Sequence, residues 1–171
     1  MIENIEPLGP DHDRGAFSCG VHDIDSYLLA FDFEVKAPSN RIYVAIDSSK
    51  RILGYYSLRP AIWEVRDKYN KIVGTSFELE LAMIGVVKEL QGKKNVGMPL
   101  LLDAFEKTLA VSKIVGGIER LWVGPLNDRC KKFYKNAAFT KAANSQRMFI
   151  AVGEIADALA ELDAFIAPDP L

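Results

Sequence analysis

Val86–Val87–Lys88–Glu89–Leu90–Gln91–Gly92–Lys93–Lys94–Asn95–Val96–Gly97 leaves an apolar run and enters a helical one. A strand that feeds a helix through such a turn presents the helix's first N–H groups. Those groups have no intrahelical partner and lie at the positive end of the peptide dipoles. A terminus of this kind binds phosphate. Gly92 and Gly97 let the backbone approach a ligand closely, and Asn95 tolerates a left-handed conformation. Lys93 and Lys94 add attraction at longer range. The segment lacks both the Gly-x-Gly-x-x-Gly of dinucleotide folds and the Gly-Lys-Ser/Thr of a Walker loop. A purely structural turn is the competing reading.

Outward from this segment, Ser76 to Val87 reads as a strand. Val96 to Val115 reads as a helix with Leu100, Leu101, Ala104, Phe105 and Leu109 on one side, ended by Gly116–Gly117. Ile118 to Val123 is a strand, Asn127 to Ala138 a short helix, Arg147 to Val152 a strand and Ile155 to Leu162 a helix. Towards the N-terminus, Ile2 to Leu8 is a weak strand. Asp23 to Lys36 is a helix with Asp23 as N-cap, broken at Pro38–Ser39–Asn40. Arg41 to Asp47 and Ile52 to Ile62 form a β-hairpin, and the polar residues 64–75 form a loop. The order β-α-β-β-β-α-β-α-β-α predicts an α/β fold: a mixed central sheet of six or seven strands with helices on both faces. One domain is expected over residues 1–165, followed by a loose tail over 166–171 containing Pro168–Asp169–Pro170.

The 171 residues carry a net charge of −2, distributed unevenly. Residues 1–87 sum to −4, residues 88–150 to +7 and residues 151–171 to −5. The basic middle block suggests an anionic ligand, with a solvated helix surface as the alternative. No apolar stretch approaches the roughly 18 residues of a bilayer span. Met1 to Pro10 has no basic segment followed by an apolar run, so no secretory signal is expected. Cys19 and Cys130 show no metal spacing, and two cysteines are too few for a disulfide framework. The expected compartment is the cytoplasm.

The loop resembles the acetyl-CoA loop of the GNAT superfamily, whose pattern is Gln/Arg-x-x-Gly-x-Gly/Ala. Val96–Gly97–Met98–Pro99–Leu100–Leu101 aligns with the end of that motif. Asn95 stands where a first glycine is usual, and Gln91 lies one place early. A second stretch, Asn127–Asp128–Arg129–Cys130–Lys131–Lys132–Phe133–Tyr134 through Ala138–Phe139, is similar to the family's Asn-x-x-Ala-x-x-Phe-Tyr-x-x-x-Gly-Phe run. There Cys130 and Ala138 replace the usual small residue and glycine. Phe17–Ser18–Cys19–Gly20 through Tyr27–Leu28 resembles the opening of the GNAT branch that contains toxins of toxin–antitoxin pairs. The resemblance implies a GNAT fold, acetyl-CoA as co-substrate without a metal, and a primary amine as acceptor. Aminoacyl-tRNA is the named candidate acceptor, with an antitoxin and a homodimer as expected partners. A small amine or a protein lysine is the alternative acceptor. A non-catalytic acyl-CoA-binding module is the alternative from another class. The resemblance also assigns residues. Gly92, Lys93, Lys94, Asn95, Val96, Gly97 and Met98 would hold the pyrophosphate, the Gly85–Val86–Val87 edge the pantetheine, and Asn127 would contact the cofactor.

Acyl transfer to an amine needs a proton for the leaving thiolate and a route for the proton the amine loses. Tyr134 is the expected general acid by resemblance, because a phenol is protonated at neutral pH. Its other reading is a ring packed on the sheet. Glu78 and Glu80 alternate with Phe77, Leu79 and Leu81 and so share one face of a strand. Glu80 is the candidate base, against a plain polar sheet face; an acceptor of low pKa needs no base. His12 and His22 read as surface or capping residues, Cys130 as packing, and Trp63 and Trp122 as core or rim residues.

Overall fold

The computed structural model describes residues 1–35, 38–92, 95–143 and 145–166. Among the described residues, seven strands and four α-helices follow the expected order with one addition, a short strand between the third helix and the last strand. They are β1 (Asn4–Pro7), α1 (His22–Leu29), β2 (Arg41–Ile46), β3 (Ile52–Arg66), β4 (Ile72–Val86), α2 (Gly97–Val115), β5 (Ile118–Val123), α3 (Asp128–Asn136), β6 (Thr140–Lys141), β7 (Met148–Ala151) and α4 (Val152–Ile166). A single 3-10 turn, Lys88–Leu90, precedes α2. The strands form one mixed sheet in the order β1-β2-β3-β4-β5-β7-β6, so the fold is α/β as expected. The two-residue β6, paired with β7 through Thr140 and Phe149, is too short to leave a period-2 pattern in the sequence. The chain divides into two compact units, Met1–Arg59 with Leu81–Ala104, and Pro60–Glu80 with Phe105–Leu171.

The first unit packs α1 and the 3-10 turn against β2 and β3. Leu28, Ile42, Val44, Ile46, Ile52 and Tyr55 are buried together, and Ile24, Tyr27 and Met83 lean on them. Close approach is written into β3 and β4. A Cβ on Gly54 would lie 2.8 Å from both the Gly85 carbonyl and Leu100 Cδ1, and one on Gly85 would lie 2.7 Å from Ile24. Any larger residue at either position must push strand or helix aside.

Helix α1 is shorter than the sequence suggests. It ends at Leu29 rather than Lys36, and Lys36 itself lies outside the described residues. The guanidinium of Arg14 donates to the carbonyls of Leu29 at 3.0 Å and Phe31 at 2.7 Å, which satisfies the end of the helix from outside. Asp32 then accepts from the Glu34 N–H at 2.8 Å and turns the chain, and acidic residues are unfavourable at a helix C-terminus. The N-cap position is Val21 rather than Asp23. The carboxylate that fixes this entry is Asp25, which accepts from Cys19 N–H at 2.8 Å and from Ser18 Oγ at 3.0 Å.

Residues 64–75 are not a loop. β3 runs on to Arg66 and β4 begins at Ile72. The turn between them is Asp67–Lys71, in which Asp67 Oδ1 accepts from Tyr69 N–H at 2.8 Å and Lys71 N–H at 3.0 Å, with Asn70 at φ 64°. The β2–β3 turn repeats this design. Asp47 Oδ1 accepts from Ser49 N–H at 2.9 Å and Arg51 N–H at 3.1 Å, with Lys50 at φ 61°. In both turns the aspartate sits four residues before a basic residue, and the residue just before that basic one takes the left-handed conformation, which suits Asn70 and strains Lys50.

The second unit buries Phe105, Leu121, Val123, Tyr134, Phe139, Met148, Ile150 and Ile155. β5 and β7 pair antiparallel with Trp122 opposite Phe149, and α4 packs on both strands. The expected tail, including Pro168–Asp169–Pro170, lies outside the described residues.

Candidate functional site

The first unit carries the strand, turn and helix start. Val87 N–H donates to the Leu53 carbonyl at 3.0 Å, so the chain stays tied to β3 one residue past the end of β4. Lys88 N–H donates to Ser18 O at 3.1 Å, and Leu90 N–H to Val87 O at 2.9 Å. Gln91, one place early for the motif, is the anchor of the turn. Its Nε2 donates to Cys19 O at 2.7 Å and to Val86 O at 3.0 Å. Gly92 follows at φ 79°, a conformation that favours glycine. Lys93 and Lys94 lie outside the described residues. Val96 is buried, and its carbonyl accepts the first helical bond, from Leu100 N–H at 3.1 Å.

Helix α2 therefore opens with the N–H groups of Gly97 and Met98 ahead of Pro99, which has none, and no acidic residue lies in its first turn. Its 19 residues give that terminus the full partial charge of a helix dipole. Gly85 and Val86 belong to β4 behind it. The space above Gly85 is filled by Ile24 and Phe17, so this glycine serves close packing in its own unit.

Cys19 is buried beneath the turn. Burial, with help from Asp25, pushes its thiol up to about 11. Near pH 8 the thiolate is therefore scarce at Cys19, which is also buried, whereas Cys130 is only half-buried. Iodoacetamide at pH 8 should label Cys130 and spare Cys19 in the native protein, as peptide mass spectrometry would read. Equal labelling of both would contradict the burial.

The second unit carries Asn127, Tyr134, Glu78 and Glu80. Asn127 is the N-cap of α3, and its Oδ1 accepts from Cys130 N–H at 3.0 Å. Tyr134 is buried on α3, with its ring edge-on to Phe139 at 5.3 Å. Burial pushes its phenol well above the ordinary tyrosine value, so the hydroxyl is protonated throughout the physiological range. The turn after α3 is closed by Phe139 N–H donating to Tyr134 O at 3.0 Å, with Ala138 at φ 66°. A left-handed conformation costs an L-residue roughly 1–2 kcal/mol. This is why glycine suits the position. Ala138→Gly should raise the unfolding free energy by about 0.5–1 kcal/mol once the extra freedom of unfolded glycine is offset. Urea denaturation at constant m value checks it, and a loss of stability would contradict the strain.

Glu78 and Glu80 do share a face, but the face is not an open polar one. Glu78 is fully buried, accepts from Ser76 Oγ at 2.9 Å and lies 3.9 Å from the Arg120 guanidinium. Glu80 pairs with Arg147. Arg147 lies 4.5 Å above the Trp63 ring, which stacks on Trp122 at 4.4 Å. Among the described residues, the buried side-chain polar atoms without a hydrogen-bond partner are Trp63 Nε1, Glu78 Oε2, Trp122 Nε1 and Arg147 Nε. All four belong to this cluster. Arg147 and Gln91 escape a sequence reading because their partners are 67 and 72 residues away.

His12, expected as a surface or capping residue, is buried and takes the capping role. Its Nδ1 accepts from Gly9 N–H at 2.8 Å and its Nε2 lies 3.1 Å from Glu6, so it staples the N-terminal turn. His22 begins α1 with Nε2 3.4 Å from Ser26 Oγ. Among the described residues, no group of three or more His, Cys, Asp or Glu side chains could hold a metal ion.

No family model matches the chain. A probable toxin TacT from Sinorhizobium fredii (strain NBRC 101917 / NGR234) is 26% identical over 121 residues, 66% of this chain and 66% of that protein's own length. The crystal structure of AtaTR bound with acetyl-CoA superposes with a TM-score of 0.78 at 25% identity, covering 91% of this chain and 97% of that one. The chain has a GNAT acetyltransferase fold. AtaT complexed with acetyl-methionyl-tRNAfMet shares this GNAT fold at TM-score 0.76 and 23% identity, over 91% of this chain and 98% of that one. The likeness covers nearly the whole chain, so both compact units belong to the shared fold.

Proposed function

We propose that this protein is an acetyl-CoA-dependent N-acetyltransferase whose acceptor is the amino group of aminoacyl-tRNA. The observation that carries the reading is the start of α2. A long helix opens at Gly97–Met98 behind a strand, with no acidic residue in its first turn. That is a phosphate site in a fold shared with AtaTR, which is known bound with acetyl-CoA. The pyrophosphate sits against Gly92, Lys93, Lys94, Asn95, Val96, Gly97 and Met98, the pantetheine along Gly85–Val87, and Asn127 contacts the cofactor. AtaT has been seen with acetyl-methionyl-tRNAfMet, which supports aminoacyl-tRNA as the acceptor class. AtaT has also been seen with its antitoxin AtaR, and a cognate antitoxin is the protein partner proposed here. Among the described residues no helix is long and apolar enough to cross a membrane, and the proposed compartment is the cytoplasm.

In the proposed reaction the acceptor nitrogen attacks the thioester carbonyl carbon. The C–N bond forms as the C–S bond breaks, and the departing sulfur takes the Tyr134 phenolic proton. A buried, protonated phenol suits that role. The proton lost by the nitrogen passes to Glu80 through water. Glu78 is the competing carboxylate on that face, because its Oε2 is free of hydrogen bonds whereas Glu80 is paired with Arg147.

Two measurements test the reading. Saturating acetyl-CoA should raise the melting temperature through linkage, since it binds only the folded state. Incubation with acetyl-CoA and methionyl-tRNA should give N-acetylated aminoacyl-tRNA by mass spectrometry. No thermal shift would remove the cofactor assignment. A shift with no acetylated tRNA, but with turnover of a small amine or a protein lysine, would reassign the acceptor. Binding with no turnover on any amine would make the protein an acyl-CoA-binding module. Comparing Glu80→Gln with Glu78→Gln in the same assay decides the base.

A further inference from the structure

The second unit has a cleft of about 420 Å³ between α3 and the β6–β7 strands, and its lining includes Lys131, Lys132, Lys135 and Lys141. Its floor is apolar, formed by Phe139 and Met148, both buried. No carboxylate lines it. The surrounding sequence, residues 127–148, holds six Lys or Arg against one acidic residue, Asp128, in a chain whose net charge is −2. Asp128 bonds Lys131 at 3.1 Å, but it is almost fully exposed, so the pair leaves the field of the cleft largely in place. Folding brings three lysines of one helix and one from a strand onto the same concavity. Like charges repel, and such a concentration is stabilised by an anion.

We infer that this cleft is an RNA backbone site, in which the four lysines take successive phosphates of the tRNA acceptor. The inference rests on the aminoacyl-tRNA reading for the identity of the RNA. Lysine is a compact charge on a flexible stem, which suits phosphates held without regard to base sequence. The cleft's charge exceeds what the single 3′-phosphate of a CoA molecule calls for. A partner that carries one phosphate per nucleotide matches it.

The test uses the full chain and deacylated tRNA without acetyl-CoA, so that binding is read apart from transfer. Fluorescence anisotropy is measured between 50 and 200 mM salt. The quadruple variant Lys131→Gln, Lys132→Gln, Lys135→Gln, Lys141→Gln should bind at least about 10-fold more weakly at 100 mM salt. The slope of log affinity against log salt should flatten by about 3. The matching quadruple Lys→Arg variant keeps the charge and should bind as wild type, which separates charge loss from misfolding. The thermal shift with acetyl-CoA and the acetylation of a small aminoacyl ester should be unchanged in both variants. Unchanged tRNA affinity and salt slope in the Gln variant would overturn the inference. So would a loss of acetyl-CoA binding that is absent with dephospho-CoA, which would give the cleft to the cofactor. Equal loss of binding in the Arg variant would show a structural effect and overturn it too. If tRNA binding falls as expected while no aminoacyl-tRNA is ever acetylated, the cleft stands and the transferase reading fails.

Discussion

Tyr134→Phe should lower kcat for acetyl transfer by about 10²- to 10⁴-fold, the range for removing a positioned general acid, while leaving acetyl-CoA binding within about twofold. The substitution deletes one oxygen from a buried ring that packs edge-on to Phe139 at 5.3 Å, so the fold should survive. The argument turns on protonation. Burial raises the phenol's pKa, and a raised pKa makes tyrosine a better-populated donor at neutral pH and a worse base. The thermal shift with acetyl-CoA reads binding, and single-turnover kinetics reads chemistry. Turnover equal to wild type would remove Tyr134 from the mechanism. A parallel loss of the thermal shift would make it a packing residue instead. The same burial fixes a sign for stability. A folded pKa above the unfolded value near 10 means that the stabilisation is complete below about pH 10 and declines as pH rises beyond it. Tyr134→Phe should therefore weaken the alkaline loss of stability seen in the wild type.

Trp122→Ala should reduce the unfolding free energy by about 3–5 kcal/mol, the usual cost of truncating a buried aromatic. Trp122 is only 7% exposed and is held between Trp63 at 4.4 Å and Phe149 at 5.0 Å. Its loss also removes one wall from Arg147, whose guanidinium lies 5.9 Å from the Trp122 ring. In a domain of this size the melting temperature should fall by roughly 6–20 °C. Trp122→Phe should cost less than about 1.5 kcal/mol, because it keeps most of the apolar area and removes an indole N–H that has no partner. Urea titrations of both variants check the order. A cost below about 1 kcal/mol for the alanine variant would mean that the stack is dispensable. A double-mutant cycle with Arg147→Met should then show coupling, since the two side chains share one contact surface.

The hairpin at residues 64–75 shows where composition misleads. Asp67, Lys68, Tyr69, Asn70 and Lys71 are turn residues, yet the residues flanking them are strand residues whose faces are exposed. Exposed strands lack the apolar alternation that a period-2 reading needs. The turns Asp47–Arg51 and Asp67–Lys71 close in the same way, but an aspartate at that spacing from a basic residue also occurs within α2 and α3, so the spacing alone does not mark a turn. α1 failed in the opposite sense. Phe31 and Phe33 extend the apolar pattern, but Arg14, 17 residues from Phe31, takes the last carbonyls and ends the helix at Leu29.

By itself the sequence determined the order of the elements apart from β6, the turn from Val86 into α2, and the two motifs around Gln91 and Asn127. These are local matters: backbone propensity, capping and glycine tolerance act within a few residues and leave a readable pattern. What Glu78 and Glu80 are was decided only by tertiary structure. Read as alternating polar residues, they suggested an open sheet face. In the folded chain Arg120 of β5 and Arg147, just before β7, come from far along the chain to meet them, and Arg147 lies over the ring of Trp63, which stacks on Trp122. The lysines of α3 change in the same way. In the sequence they are a charged helix surface, and only the return of the chain through Lys141 and Met148 turns them into the wall of a cleft. Charge is additive along a chain, but the field that a ligand meets depends on which charges folding brings together.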